Sequence, residues 1–343
     1  MKKKILITGG AGFVGTNLIK FLLKHTKLNI ISLDDYSCGK KANHIKNKRV
    51  RYLKGSTINI EKIFKKPKEI NAVFHFGEFS RIYQSFLNMN DCIMSNSVGS
   101  NAVFNFCLKN NIKLIYSATS ASLGNKGKDK NLSPYAFTKA KNLEMLENLK
   151  KWFNFKFEII YFYNVYGPNQ ISKGNMATVI GIFEESFKKN KPLPVVKPGS
   201  QTRRFTHIDD TVEICFKAWR KNLCRHYSIS NKKSYSILKV AKLFKRKIKL
   251  LPKRSGERYA SALTNMNLSN RVYKYFGKKN LKIMVKKPPA AATKASQPTA
   301  IHEMMLLRGA EISSWTFPSA AGGLILTLVL TSSDILIYCS EFF

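Results

Sequence analysis

Short apolar runs separated by polar or glycine-rich turns recur along the chain. Ile5-Leu6-Ile7, Asn29 to Leu33, Val50 to Leu53, Ala72 to Phe76 and Lys113 to Ser117 read as strands. Their continuity suits strands covered on both faces rather than on one. Between them, Asn17 to Leu23 and Asn96 to Leu108 read as helices. Strands alternating with helices predict a doubly wound parallel sheet.

The turns carry the chemistry. The first strand enters Thr8-Gly9-Gly10-Ala11-Gly12-Phe13-Val14-Gly15 and then a helix. Glycines there permit a tight turn and close backbone approach, and the helix N-terminus faces a pyrophosphate. The second strand ends in Asp34-Asp35. An acidic residue about 20 positions after the glycines binds adenosine ribose hydroxyls and favours NAD over NADP. Hydroxyls cluster in Tyr116-Ser117-Ala118-Thr119-Ser120-Ala121-Ser122-Leu123-Gly124, at the carboxyl end of a strand, where such sheets bind ligands. Ser133-Pro134-Tyr135-Ala136-Phe137-Thr138-Lys139 follows, with Pro134 suited to a first helical turn. Tyr135 and Lys139 are four apart and share one helix face. Beside a bound nicotinamide, a lysine ammonium favours the phenolate and makes the tyrosine a base. Alone, that spacing also fits a solvated helix face, and a hydroxyl cluster also fits a loop cap.

Composition adds limits. The chain has 343 residues, 44% of them hydrophobic, and a formal net charge of +39. So strong a positive field raises nucleic acid, a membrane surface or anionic substrates as partners. The lysines are scattered and form no long tail, and no zinc-finger, RNA-recognition or helix-turn-helix signal stands out. The charge reads as a lysine-rich bias that also attracts phosphorylated ligands; a nucleic-acid role rests on charge alone. The cysteines at 38, 92, 107, 215, 224 and 339 make no metal-ligand spacing and read as reduced thiols of a cytoplasmic protein. No metal site is expected. The apolar run after Met1 to Lys4 is too short for a signal peptide and leads straight into glycines.

The motifs in order resemble an extended short-chain dehydrogenase/reductase. Within that group the chain resembles the NAD-dependent sugar-nucleotide epimerase/dehydratase family, in its UDP-glucose 4-epimerase-like branch, from about Lys3 to Val285. The resemblance implies a Rossmann-like sheet over residues 1–165, with a return segment near 205–230, and a smaller C-terminal α/β substrate-binding domain over 166–285. It implies NAD held by Gly9, Gly12, Phe13, Val14, Gly15, Asp34, Asp35, Phe76, Gly77, Asn96, Tyr135, Lys139 and Tyr163. Thr119, Tyr135 and Lys139 match the catalytic set. Phe162-Tyr163-Asn164-Val165-Tyr166-Gly167-Pro168 matches Y-F-N-V-Y-G-P, whose asparagine contacts the nucleotide-sugar. Arg203 and Arg254 match two arginines that hold the substrate diphosphate. Ser261 falls where a large aromatic restricts related epimerases to unsubstituted hexoses, so a serine leaves room for an N-acetyl group. A homodimer with no nucleic-acid partner, acting in carbohydrate metabolism and cell-surface polysaccharide biosynthesis, is the further implication.

The implied reaction is inversion at sugar C4 through a 4-keto intermediate. A 4,6-dehydratase needs Asp-Glu after the catalytic threonine, and Ser120-Ala121 follow Thr119 here. Asp34 disfavours an NADP-dependent reductase, and the presence of both Tyr135 and Lys139 disfavours a purely binding Rossmann protein. Departures are Ser56, Tyr161 and Arg204 where the family has Asp, Arg and Asp. His75-Phe76-Gly77-Glu78 replaces His-Leu-Ala-Ala or His-Phe-Ala-Gly, and the segment from Gly124 to Tyr135 is short.

From Lys286 the composition shifts to Pro, Ala, Ser and Thr, a linker pattern, and Gly322 to Tyr338 is largely apolar. That stretch is short and polar for a spanning helix, which needs about 20 apolar residues. Four readings stand for 286–343: linker plus apolar segment, substitute for the family's last helix, aberrant extension, or membrane anchor.

Overall fold

The computed structural model describes residues 3–122, 130–221, 223–256, 272–279 and 281, and the three strands 313–318, 324–330 and 335–341. In chain order the strands are β1 (Lys4–Thr8), β2 (Asn29–Asp34), β3 (Val50–Lys54), β4 (Ile70–His75), β5 (Lys113–Thr119), β6 (Phe157–Phe162), β7 (Asn164–Tyr166), β8 (Leu193–Val196), β9 (Thr202–His207), β10 (His226–Ser230), β11 (Ser234–Ser236), β12 (Ile248–Leu251), β13 (Val272–Phe276), β14 (Ser313–Pro318), β15 (Leu324–Leu330) and β16 (Ile335–Glu341). The helices are α1 (Phe13–His25), α2 (Ile60–Ile63), α3 (Ile82–Leu87), α4 (Met89–Ile93), α5 (Ser100–Lys109), α6 (Pro134–Phe153), α7 (Val179–Lys188), α8 (Ile208–Arg220) and α9 (Ile237–Lys242).

Eight strands form one parallel sheet in the order β13-β10-β6-β5-β4-β1-β2-β3. The order reverses between β1 and β4, which opens a crevice at the carboxyl ends of those strands. Burial on both faces explains the unbroken apolar runs. Leu6, Val73, Leu114, Tyr116 and Ile159 pack with Phe104 and Phe106 of α5 and Leu146 of α6. Their chain neighbours Ile5, Ile7, Phe74, Ile115 and Ile160 pack with Leu18 and Leu22 of α1 and Val212 and Ile214 of α8 on the other side. A smaller core of Phe183, Phe187, Leu193, Val195, Phe205, Val240 and Phe244 holds α7, α9, the β8–β12 pair and β9. The Rossmann-like α/β fold is therefore present, and residues 1–288 form one compact unit.

Two helices differ from the sequence pattern. The first starts at Phe13 rather than Asn17, and Gly15 in its first turn lies so close to the Gly9 carbonyl that any side chain would collide with it. The helix expected over Asn96 to Leu108 is built in two pieces, the end of a π-helical turn over Met94–Gly99 that continues from α4, then α5. A side chain at Gly99 would strike Thr57, which fixes glycine in that turn.

Residues 289–343 form a second unit, in which β14, β15 and β16 make an antiparallel sheet. Within the apolar stretch weighed as a spanning segment, the described residues 324–330 and 335–338 are strand. Among the described residues no helix is long and apolar enough to cross a membrane.

Candidate active site

Backbone contacts close the first part of the glycine turn. Gly9 donates to the Leu33 carbonyl at 2.8 Å and accepts from Gly12 at 3.1 Å. Its φ of +70° and the Gly77 backbone pressed against it admit only glycine. At Gly12, by contrast, a side chain would meet only the Gly9 carbonyl, so the turn has an open side before the N-terminus of α1. Phe13 and Val14 follow as the first residues of α1 and pack partly against the core. An open glycine edge at the start of a 13-residue helix fits a dinucleotide pyrophosphate.

Asp34 ends β2 and is buried. Its carboxylate accepts from the Ala11 and Tyr36 backbone N–H groups, each at 2.9 Å, and Gly39 lies directly against it. Burial raises its pKa, and those two N–H groups oppose the rise. Each oxygen keeps a lone pair for a ribose hydroxyl. Asp35 instead caps its own turn, accepting from the Ser37 N–H at 2.9 Å.

Beyond β4 the chain doubles back over the site. The Phe76 and Gly77 N–H groups donate to the Thr8 hydroxyl oxygen at 3.1 and 3.0 Å. Asn96 is fully buried and clamps Phe79, accepting from its N–H at 2.7 Å and donating to its carbonyl at 3.1 Å. Its amide is thereby committed to the protein backbone.

Ser133 caps α6 through the Ala136 N–H at 3.1 Å, which sets Tyr135 in the first turn. The Tyr135 N–H donates to Ser85 of α3 at 3.2 Å, and the ring packs with Phe79, Ile82, Cys92 and Ala121. Lys139, one turn on, is buried on the same face. Its ammonium donates to the Ser117 carbonyl and to Glu78, and lies 4.6 Å from the centre of the Tyr116 ring. Thr119 stands at the end of β5, and its hydroxyl accepts from the Ala121 N–H at 3.1 Å. The three expected catalytic residues thus converge where β5 meets α6.

The expected substrate residues are more dispersed. Asn164 donates to the Arg204 carbonyl at 3.2 Å, while Tyr163 is buried with its hydroxyl on Ser228 at 3.0 Å. Arg203 is buried on β9 and donates to the Thr202 carbonyl at 2.8 Å. Arg254 lies exposed over the Tyr83 ring, 5.1 Å from its centre, so it faces α3 beside the tyrosine turn. Ser261 lies outside the described residues. Of the unusual positions, Ser56 caps the turn at Thr57–Asn59, and Arg204 ties β9 to the Asn231 carbonyl at 2.9 Å.

The sequence motifs do not single out Glu78 and Arg81 as site residues. Glu78 takes Lys139 as a buried partner. Arg81 donates to the Met176 carbonyl at 2.9 Å and lies in the electrostatic neighbourhood of Tyr135 and Cys38. The one available signal is an acidic residue at a place where the resembled family is small and apolar. Among the described residues no cluster of metal-ligating side chains occurs.

Residues 5–230 match the sequence model of the NAD dependent epimerase/dehydratase family. An uncharacterized UDP-glucose epimerase of Bacillus subtilis, YtcB, is 29% identical over 230 residues, covering 61% of this chain and 70% of that one. The dTDP-D-glucose 4,6-dehydratase of Dictyostelium discoideum is 28% identical over 269 residues, covering 70% and 61%. The UDP-glucose 4-epimerase of Thermotoga maritima, solved with UDP-glucose, superposes with a TM-score of 0.70 at 25% identity, covering 76% of this chain and 89% of that one. The family match spans most of the sheet and every turn described above except the Arg254 segment, and the chain belongs to the NAD-dependent epimerase/dehydratase family.

Proposed function

We propose that the chain inverts C4 of a nucleotide-sugar, a UDP-hexose or UDP-N-acetylhexosamine, through a transient 4-keto sugar. The observation that carries this reading is the convergence of Tyr135, Lys139 and Thr119 at the carboxyl end of β5, beside the crevice between β1 and β4. Gly9, Gly12 and Gly15 with the start of α1 would hold the pyrophosphate of NAD, and Asp34 its adenosine ribose, a carboxylate that also repels the 2′-phosphate of NADP. When bound, NAD supplies reversible oxidation of the carbinol carbon. Tyr135 takes the proton of the C4 hydroxyl, Thr119 donates a hydrogen bond to the same oxygen, and Lys139 favours the phenolate. Tyr135 then returns the proton once the keto sugar has presented its other face. Arg203, Arg254 and Asn164 are the proposed contacts of the nucleotide diphosphate, with Ser261 beside the sugar's 2-substituent.

Two features support inversion over dehydration. The residues after Thr119 are Ser120 and Ala121, with no carboxylate between them. The carboxylate that does lie nearby, Glu78, is saturated by protein donors and is no free acid. Mass spectrometry of the product from UDP-glucose and UDP-N-acetylglucosamine separates the two readings: an isomeric product supports the epimerase, and loss of water the 4,6-dehydratase. Tyr135→Phe is expected to lower turnover on the order of 10²–10⁴-fold while leaving NAD binding intact. Near-normal turnover in that variant removes Tyr135 from its role. The assembly proposed is a homodimer in the cytoplasm. Free thiols at Cys38, Cys92, Cys107, Cys215 and Cys224 support a reducing compartment.

A further inference from the structure

Glu78 sits where the resembled family carries alanine or glycine, and the fold builds a directed hydrogen-bond network around it. One carboxylate oxygen accepts from Ser100 Oγ at 2.7 Å, Tyr116 OH at 3.0 Å and Asn142 Nδ2 at 3.3 Å. The other takes the Lys139 ammonium and lies 3.5 Å from Ser117 Oγ. Proton directions follow from the partners. The Thr8 hydroxyl oxygen already accepts two backbone N–H groups, so its proton goes to His75 Nδ1, 2.7 Å away. His75 then carries hydrogen on Nε2 and donates to Ser100 Oγ at 3.0 Å, whose own proton goes to Glu78. The donors of this relay, Thr8, His75 and Ser100, run in line toward the carboxylate, whereas Ser117 Oγ donates to the His75 carbonyl at 2.9 Å.

The side chains of Lys139 and Glu78 are 4% and 2% exposed, so neither charge is screened by water. Lys139 gives one N–H to Glu78 and one to the Ser117 carbonyl, and its ammonium lies 4.6 Å from the centre of the Tyr116 ring. We propose that Glu78 is a positioning residue: it keeps the buried Lys139 charged and fixes its ammonium under the tyrosine turn of α6. The proposal rests on the reading of Tyr135 as the base. The titratable groups around the pair are His75 from β4, Cys92 from α4, Tyr116 from β5 and Tyr135 from α6, with Arg81 facing Tyr135 from the loop before α3. Among the described residues acting on Lys139, Glu78 supplies the carboxylate. Burial pulls the Lys139 pKa down, and the Glu78 charge and hydrogen bond oppose that pull.

The sign of the effect distinguishes this from simple charge damping. Without its carboxylate, a buried ammonium sheds its proton. A neutral amine gives the phenol no help, so the phenol ionises at higher pH. If Glu78 merely offset the lysine charge, its removal would move the phenol to lower pH.

The test is an ultraviolet titration of phenolate in the full chain, taking the difference between each protein and its Tyr135→Phe counterpart. It needs no nucleotide-sugar, so it stands apart from the choice of substrate. Glu78→Gln is expected to raise the Tyr135 midpoint by about one pH unit or more, a tenfold change in ionisation. Lys139→Met should raise it similarly, and the double variant should add nothing to Lys139→Met. A midpoint that stays or falls in Glu78→Gln, while Lys139→Met raises it, overturns the proposal. A midpoint indifferent to Lys139→Met instead overturns Tyr135 as the lysine-assisted base. Should Glu78→Gln not fold, Glu78→Asp withdraws the charge by one methylene; a smaller upward shift supports the proposal, and no shift overturns it.

Discussion

His75 shows how a single residue joins stability to the site. It is completely buried, hydrogen-bonded through both ring nitrogens, and burial pulls its pKa down to about 4. Unfolded, the same imidazole titrates near 6.5. A base whose folded pKa is depressed binds more protons when unfolded, so its contribution is complete above about pH 6.5 and is lost as pH falls toward 4. The loss is on the order of 3 kcal/mol at about 1.4 kcal/mol per pH unit. Denaturant midpoints measured from pH 7 to 4 are expected to fall less steeply in His75→Gln than in the wild type; parallel slopes would contradict the account. At this scale the sequence was legible for placement, in the tight turn at Gly9, the strand end at Asp34 and the shared helix face of Tyr135 and Lys139. It was not legible for Glu78, because the donors of the network come from β4, β5, α5 and α6, and spacing along the chain does not show that they meet. The hold of the buried Asn96 amide on Phe79 is likewise a pairing that its motif does not display.

Among the elements, α3, α4 and α6 carry more apolar surface than a helix facing water needs. Leu87 is 62% exposed, Met89 54%, Phe137 47% and Trp152 63%. A groove of ≈ 460 Å³ between the α3–α4 segment and the start of α6 is lined by Phe86, Met89, Ile93, Leu132 and Phe137. Large contiguous apolar patches mark interaction surfaces. The homodimer proposed above would cover this face, using the same helices from each copy. Met89→Asp, at an exposed position that folding tolerates, is expected to shift the protein from twice the chain mass to once in light scattering. An unchanged mass would place the interface elsewhere. The helix pattern in the sequence located α6 and α1, because capping and periodicity are local. The π-helical turn before α5 was hidden, since it depends on Thr57 filling the space beside Gly99.

At the scale of the whole molecule, the boundary at Pro288 and Pro289 separates the unit bearing the site from the three-stranded unit that follows. A chain ending at Pro288 is expected to stay soluble, bind NAD with unchanged affinity and keep its melting temperature within a few degrees. Aggregation of that shorter chain beside a well-behaved full chain would show that the tail completes the core. The parallel sheet was legible from the alternation of apolar runs. The sheet in the tail was not, because an apolar stretch with few charges reads alike as strand or helix until its pairing is known. The strand order also ties folding to synthesis. β1 to β6 are complete once residue 162 has emerged, and they can pair among themselves. The β6 edge then stays bare until β10 arrives at 226–230, and β10 in turn waits for β13 at 272–276. An unpaired inner strand of a parallel sheet is an open template for other chains. A ribosome producing this protein therefore leaves an unpaired edge on the sheet, first β6 and then β10, across more than a hundred residues of elongation after β6, and chains released within that window would be prone to joining each other edge to edge.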